Sequence, residues 1–473
     1  MIVIRRPSRI FGSRKAAPGA LPCASQLLYR RYYETDMNSD VVVVGGGTVG
    51  SALACALGRI LPTSYCVSLI DESPTLEPLE SIKPFSNRLF SITPASARFL
   101  QAIGAWSHLE KSRIKQYTSM QVWDAAGSGF VRFDASSDSS PIAWVIENLN
   151  LQHALQKAIA ELGPERVRVF SPASVQSIRK GTGIDSWPQV CIRDGPVLTT
   201  RLLIGADGTR SSVRQFANID TIAIDYDQRG IVATLRVDAV ENTSAWQRFL
   251  PTGPVALLPL DEYHCSLVWS ISTDLAKRIS LLPDEAFVAL LNTALLNPPQ
   301  DVQFLCSQIS AEGTTNVDFS HESAWGRKRV PHIGPVPPLV VNVLDKSRAA
   351  FPLRLSHASR YVAPRIALIG DAAHTIHPLA GQGLNLGLAD VEVLSNVLQN
   401  GVESGQDIGS VILLEEYAKQ RYTSNVMMQT GVHAIQRLFG TDSIVIGGLR
   451  SFGLNVVNSF GSLKNLLMKL AGA

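Results

Sequence analysis

The sequence predicts an α/β fold in which a parallel sheet holds an extended ligand across the ends of its strands, with a second, β-rich part inserted into it. Three observations predict it. A β-branched run, Asp40–Val44, leads straight into Gly45-Gly46-Gly47-Thr48-Val49-Gly50 and the Ala-rich helical stretch Ser51–Leu57. An apolar strand, Arg201–Ile204, ends in Gly205-Ala206-Asp207-Gly208-Thr209-Arg210. The segment Arg365–Asp390, RIALIGDAAHTIHPLAGQGLNLGLAD, runs from a short strand (Ile366–Ile369) through an acidic turn, Gly370-Asp371, and a Pro-bearing loop to a Gly-Gln-Gly step that opens a helix.

The first unit has the parts of a dinucleotide site in order. Continuous β-branched residues suit a strand buried on both faces. Gly45 permits the tight turn, Gly47 lets backbone approach a pyrophosphate, and Gly50 lets the helix pack on the strand. A following strand, Cys66–Ile70, ends at Asp71, 21 residues beyond Gly50. A carboxylate there hydrogen-bonds the hydroxyls of an adenosine ribose, with Glu72 as the competing candidate. Strand, glycines, helix, strand and acid in this register predict a Rossmann-like unit, although the motif alone does not separate FAD from NAD.

Further along, Asn87-Arg88-Leu89-Phe90-Ser91 precedes a helix, Pro94–Ile103. Arg88 reads equally as a surface charge. Glu147-Asn148-Leu149-Asn150 precedes a helix beginning near Leu151, with Gln152 in its first turn. Asp207-Gly208 is a tight turn before the helix that Ser211 to Arg214 begins. Asp227–Val237, Ala256–Leu260 and Cys265–Ser272 read as strands, with Trp246, Phe249 and Trp269 as core residues or as a roof over a ligand.

The Gly370-Asp371 turn is polar and suited to hydroxyl binding, and it stands beside a helix N-terminus with bare backbone N–H groups, which attract negative charge. It lies more than 300 residues beyond the first glycine turn. One ligand long enough to touch both is a flavin dinucleotide. Beyond Asp390 the chain reads as helical to its end. There Leu463, Leu466, Leu467 and Leu470 form an apolar stripe flanked by Lys464 and Lys469, suited to a membrane surface or to docking on the protein's own core.

Composition narrows the class. The chain has 473 residues, 45% of them hydrophobic, enough for two or three domains. Residues 1–33 carry seven basic residues and no acid, the composition of a mitochondrial transit peptide. Without them the formal net charge passes from +3 to −4, which argues against nucleic acid as a partner. The six cysteines are scattered without metal-type spacing and read as reduced thiols. Val41–Gly58 and Ala372–Ala389 are 18-residue apolar windows interrupted by Gly and Pro, better explained as buried nucleotide-binding segments than as membrane spans. His374 and His377 read as poor metal ligands, two His on a Pro loop with no carboxylate partner nearby.

Taken together, GGGTVG, the Asn87-Arg88 segment, Glu147-Asn148, IGADGTRSSVR, WQRFLPTGPVALLPL and the Arg365–Asp390 segment resemble the FAD-dependent aromatic hydroxylases, most closely their mitochondrial ubiquinone-biosynthesis branch. The resemblance spans the chain from about Asp40 to its end. It implies an α/β fold with a Rossmann-like FAD-binding domain of the aromatic-hydroxylase type, an inserted β-rich substrate domain and C-terminal helices. A transit peptide of residues 1–36 would precede a discontinuous FAD-binding domain of residues 38–110, 147–220 and 358–400. Residues 111–146 and 221–357 would form the substrate domain, and 401–473 a C-terminal helical region. The cofactor set it implies is Gly45, Gly47, Gly50, Asp71, Arg88, Gln152, Asp207, Gly208, Asp371, Pro378, Gly381, Gln382, Gly383, Leu384 and Asn385. Asp71 would take the adenosine ribose, Arg88 would reach FAD near the flavin, and Asp207-Gly208 would stand near the pyrophosphate. Asp371 would bind the ribityl hydroxyls, and the backbone of Gly381 to Asn385 would face the pyrimidine edge of the flavin.

The implied chemistry is the cofactor's: reduced flavin takes up molecular oxygen and delivers one atom to an electron-rich phenol ring. The protein holds the ring, favours the reduced anion and excludes water. The residues point to no general base, and the stretch from about Tyr226 to Phe351 is expected to supply an apolar pocket. The implied substrate is a polyprenyl-4-hydroxybenzoate hydroxylated at carbon five. Ferredoxin and its reductase are the implied electron source, with NADPH the alternative. Other ubiquinone biosynthesis proteins and the membrane surface, at the matrix face of the inner membrane, are the implied surroundings. The rival readings are an isoprenoid-acting flavin reductase or dehydrogenase, and a non-catalytic flavin-binding subunit of the biosynthetic complex.

Overall fold

In the computed structural model the strands Ile366–Leu368, Val197–Gly205, Asp36–Val44, Val67–Ile70 and Val167–Phe170 lie side by side in that order, all parallel. The structure describes residues 36–74, 76, 85–135, 141–181, 186–238, 241–329, 336–377, 381–439 and 444–459. Nearly all of the transit-peptide expectation, Pro378 and the Leu463–Leu470 stripe lie outside the described residues.

The sheet forms where the sequence offers unbroken apolar runs. Val41, Val42 and Val43 are fully buried in the main apolar core, as a continuous β-branched strand requires. The helix Thr48–Ile60 is buried from end to end save Val49 and its last two residues. The helices Asn148–Leu162 and Gly383–Glu403 pack against it. At the second contact a Cβ on Gly387 would lie 2.7 Å from Val49 Cγ2, so a larger residue would force the helices apart. The Asn148–Leu162 helix begins three residues earlier than the sequence suggests, directly after the strand Ala143–Glu147.

A second sheet of nine strands has the order 374–375, 349–358, 221–238, 264–272, 255–259, 244–249, 119–124 and 130–134, with 339–343 also paired to 221–238. Its longest strand, Thr221–Asp238, starts six residues before the expected Asp227. Residues 221–225 pair on one side only, with 354–358, and are exposed, so they carry no apolar alternation to reveal them. A bulge between Asp225 and Gln228 sets Tyr226 and Asp227 out of register, with Asp227 at φ +50°. The same region also holds the helices Thr273–Ser280, Asp284–Leu296, Pro299–Ser307 and Phe319–Arg329, which the strand signals alone did not reveal. Trp269 and Phe287 are fully buried between these helices and the sheet.

A small antiparallel sheet has the order 89–92, 143–147 and 114–117. The helices Val411–Phe439 and Ile444–Ser459 close the chain. The second covers the rim of the nine-stranded sheet: Phe130 N–H donates to Asn455 Oδ1 and Arg132 N–H to Asn458 Oδ1, both at 3.2 Å. The five described cysteines form no disulfide.

Candidate functional site

Four parallel strands end together, at Val44, Ile70, Gly205 and Leu368, and the turns leaving them form one surface. In an open parallel sheet this carboxyl edge is where ligands bind. The ladder continues into the turns: Gly45 N–H donates to Ile70 O (2.8 Å), Ala206 N–H to Val44 O (2.8 Å) and Ile369 N–H to Gly205 O (3.0 Å). Gly45 adopts φ +103° with its α-carbon against the Ala206 carbonyl, and a Cβ on Gly46 would lie 2.6 Å from Asp71 Cβ. A Cβ on Gly50 would overlap the Gly45 carbonyl oxygen. Gly45, Gly50 and Asp71 are thus brought into one compact group. Gly47 and Gly208 differ, since a Cβ on either would meet nothing within 4 Å. These two backbones border open space.

Asp207 serves the helix Ser212–Phe216. Its Oδ2 accepts from Ser212 N–H (2.6 Å) and Ser212 Oγ (2.9 Å), while Oδ1 is buried with no partner among the described residues. Arg214 then ties this turn to the third one, donating to Thr209 O (2.6 Å) and Ala372 O (2.7 Å). On the other flank Thr48 Oγ1 donates to Asn148 Oδ1 (2.8 Å), and Asn148 Nδ2 donates to Gln152 Oε1 (3.1 Å). Asn148 N–H donates to Arg88 O (2.8 Å). Gln152 and Arg88 therefore stand beside the N-terminus of the Thr48–Ile60 helix. Glu147, almost fully buried, accepts a two-pronged pair from Arg113, with Nε to Oε2 at 2.5 Å and Nη2 to Oε1 at 2.8 Å.

Asp371 follows Gly370, which takes φ +55° with a Cβ position 3.2 Å from Val49 Cγ1. By area Asp371 is open to solvent, but protein crowds its carboxyl. That burial raises its pKa above the ordinary value, while the charges of His374 and Arg88 pull it back. The Arg88 charge is thus near enough to act on Asp371. The helix Gly383–Glu403 opens with Gln382 as its cap residue, which makes no side-chain cap bond, and has no acid in its first turn. Its first backbone bond is Leu386 N–H to Gln382 O (2.9 Å), which leaves the N–H groups of Gly383, Leu384 and Asn385 outside the helical ladder. The Asn385 side chain holds this end in place, accepting from Thr93 N–H (3.2 Å) and donating to Ser91 O (2.8 Å). Gly381, at φ +60°, faces Ser91.

One expectation is corrected. His374 does have a carboxylate partner: its Nε2 lies 2.6 Å from Asp390 Oδ2, and both residues are buried. Asp390 is sixteen residues away along the chain, and the Gly383–Glu403 helix folds it back under the turn. Burial alone would raise the Asp390 carboxyl, but His374 and Arg421 outweigh it and hold the pKa at about 2. The sequence did contain a signal. Asp390 is the first acid after an 18-residue stretch without one, on a helix that must be buried, and a buried carboxylate needs partners. His377 is fully buried, its ring edge-on to Tyr226 at 5.1 Å, and burial pushes its pKa down to about 4. Among the described residues no three His, Cys, Asp or Glu side chains converge as a metal-binding group.

The donor set suits FAD. There is open space against the Gly47 and Gly208 backbones, among the described residues buried oxygens of Asp207 and Asn87 have no partner, and the helix Gly383–Glu403 opens with three N–H groups outside its ladder. A profile of the FAD binding domain family matches residues 327–429. The mitochondrial ubiquinone biosynthesis monooxygenase COQ6 of Caenorhabditis elegans is 38% identical over 464 residues, covering 97% of this chain and 99% of its own. The human protein of that name is 37% identical over 471 residues, covering 97% and 98%. The chain belongs to the ubiquinone biosynthesis monooxygenase family. This family member is an FAD-dependent monooxygenase of ubiquinone biosynthesis and is mitochondrial, and as a monooxygenase it uses oxygen and an organic substrate. Its fold is shared with solved monooxygenases. PqsL, a probable FAD-dependent monooxygenase from Pseudomonas aeruginosa, aligns at TM-score 0.64 and 19% identity over 89% of this chain and all of its own. The p-nitrophenol 4-monooxygenase PnpA from Pseudomonas putida DLL-E4 aligns at 0.67 and 16% over 93% and 99%. Among its described residues, no helix of the monooxygenase is long and apolar enough to cross a membrane.

The substrate pocket expected between about Tyr226 and Phe351 is less plain. A cleft of about 280 Å³ among Asp284, Asn292, Ser323 and Arg327 is polar and borders none of the strand-end turns. A smaller one, about 80 Å³, lies among Gln228, Phe249, Pro254, Gln436 and Phe439.

Proposed function

We propose that FAD lies along the carboxyl edge of the parallel sheet and that the enzyme hydroxylates carbon five of a polyprenyl-4-hydroxybenzoate ring. The observation that carries this reading is the convergence of the Gly45, Asp71, Asp207 and Asp371 turns with the N-terminus of the Gly383–Glu403 helix. The Gly45-Gly47-Gly50 backbone takes the adenosine pyrophosphate, and Asp71 takes the ribose hydroxyls. Gln152, Arg88, Asp207 and Gly208 flank the phosphates and the path to the flavin. Asp371 binds the ribityl hydroxyls, and Pro378 and the Gly381-Gln382-Gly383-Leu384-Asn385 backbone border the flavin ring. The parallel sheet and its helices act as the cofactor domain, and the nine-stranded sheet covers the substrate.

When bound and reduced, FAD supplies the oxygen-activating chemistry. The chain supplies placement and field. The N–H groups of Gly383, Leu384 and Asn385, with the helix dipole behind them, stabilise negative charge at the flavin's pyrimidine edge. Asn385, through Ser91 and Thr93, keeps that helix end aimed at one spot. Arg88 adds a positive charge on the same rim. Electrons come from ferredoxin and its reductase, and the enzyme works at the matrix face of the inner membrane beside other ubiquinone biosynthesis proteins.

The test is an Asp371→Ala variant compared with the wild type for bound flavin, by visible spectrum, and for the quinone intermediate that accumulates in cells relying on it. Loss of flavin with accumulation of the ring-unhydroxylated intermediate is expected. Full flavin content in a folded Asp371→Ala protein would overturn the placement, and accumulation of an intermediate already hydroxylated at carbon five would overturn the reaction.

A further inference from the structure

Tyr417, Arg421, Asn425 and Gln429 recur every four residues along the helix Val411–Phe439, so they form a single stripe. All four are buried, with at most 8% of any of them exposed. A buried stripe of polar residues is costly unless each has a defined partner. Each helps to hold the segment 368–375, the turn that carries Asp371, directly or through Asp390 beneath it, and Gln429 also joins the strand 349–358 by donating to Ser356 O at 2.9 Å and meeting His357 Nδ1 at 2.8 Å. Tyr417 Oη donates to Leu368 O at 2.8 Å. Arg421 Nε donates to Asp390 Oδ1 at 2.8 Å and Asn425 Nδ2 to the same oxygen at 3.2 Å. Gln429 Nε2 donates to Thr375 O at 2.9 Å.

Asp390 is the hinge of this arrangement. Its Oδ1 serves the long helix, and its Oδ2 serves the turn, accepting from Gly370 N–H (3.0 Å) and His374 Nε2 (2.6 Å). The Tyr361 ring lies over His374 at 5.8 Å, and its hydroxyl accepts from Asn425 Nδ2 at 3.2 Å, which closes the network. A core of the same shape could be apolar. What the polar stripe adds is a fixed register between the turn and the helix.

We propose that Asp390 and the Tyr417–Gln429 stripe are positioning residues that make FAD binding and the docking of the Val411–Phe439 helix one linked event. Holding Gly370 at its positive φ places Asp371 for the ribityl chain, so anything that loosens the helix loosens the cofactor. Linkage is reciprocal, so FAD in turn tightens the helix. The inference rests on FAD lying beside Asp371.

The experiment uses the full-length protein, stripped of flavin and titrated with FAD. Binding is followed by flavin fluorescence, and amide hydrogen exchange is followed across residues 411–439. The variants are Asp390→Asn, Gln429→Leu and Asp371→Ala. In the wild type FAD slows exchange along the helix. In Asp390→Asn and Gln429→Leu the FAD dissociation constant rises by about tenfold and the FAD-dependent slowing disappears. Gln429 is far enough from Asp390 that its variant keeps the test alive if Asp390→Asn does not fold. Wild-type affinity in folded Gln429→Leu, with slowing intact and Asp371→Ala impaired, overturns the linkage alone. Wild-type affinity in Asp371→Ala overturns the placement on which it rests.

Discussion

Gly45 and Ala206 are in backbone contact: a Cβ on Gly45 would overlap the Ala206 carbonyl oxygen and lie 2.7 Å from the Asp207 amide nitrogen. Two turns more than 150 residues apart in sequence thus share one wall, and the surface they form tolerates no side chain at that joint.

Gly45→Ala and Gly47→Ala should therefore fail in different ways. At Gly45 the positive φ and the overlap together cost roughly 3 kcal/mol or more, read as a fall in Tm of the flavin-free protein. At Gly47, with φ −62° and free space around it, the flavin-free Tm should change by less than about 1 kcal/mol equivalent. FAD affinity should still fall, since the methyl group occupies the ground a phosphate needs. Unchanged FAD affinity in Gly47→Ala would contradict this.

Arg214→Ala removes the donor to both Thr209 O and Ala372 O. A charged hydrogen-bond donor of this kind is worth roughly 2 kcal/mol, and chemical denaturation should register that loss. Retention of full stability would mean that the two turns are held together by other contacts.

Arg113→Met leaves the Glu147 carboxylate buried without its main partner, which costs about 3–5 kcal/mol. Adding Glu147→Leu should restore part of that loss, because the stranded charge goes too. The prediction fails if the double variant is as unstable as the sum of the two singles.

His377 gives the protein an acid-sensitive window. Its folded-state pKa, near 4, lies below the unfolded value of about 6.5, so the unfolded chain takes up the proton first as pH falls. Stability from this group is complete above about pH 6.5, declines toward pH 4 and changes little below that. The loss is on the order of 3 kcal/mol. His377→Gln should flatten the fall in Tm between those pH values, and an unaltered slope would refute the assignment.

The sequence was most readable where backbone geometry dictates residue type. Gly45, Gly50 and Gly370 are required by contact or positive φ, so the strand-end turns could be placed without coordinates. Asp71 and Asp371 were readable as strand-end acids, Asp71 from its spacing beyond Gly50 and Asp371 from the turn that follows a short strand. What stayed hidden was pairing over long separations. Nothing local links Asp390 to His374 and Arg421, or Glu147 to Arg113, since each pair is made by tertiary folding. The exposed half of Thr221–Asp238 carries no periodicity because it buries neither face. The apolar helix Asp284–Leu296 escaped because hydrophobic side chains surround it almost evenly, leaving little amphipathic contrast.

The strand Phe130–Asp134 ends its sheet, and two asparagine amides from the last described helix answer alternate N–H groups along it. Side-chain amides can satisfy a strand without extending it, so the ladder stops there and offers no template for another chain. A polypeptide truncated before Ile444 would leave that row of donors bare. Its shortfall would then appear as self-association and poor yield, even with every flavin contact in place.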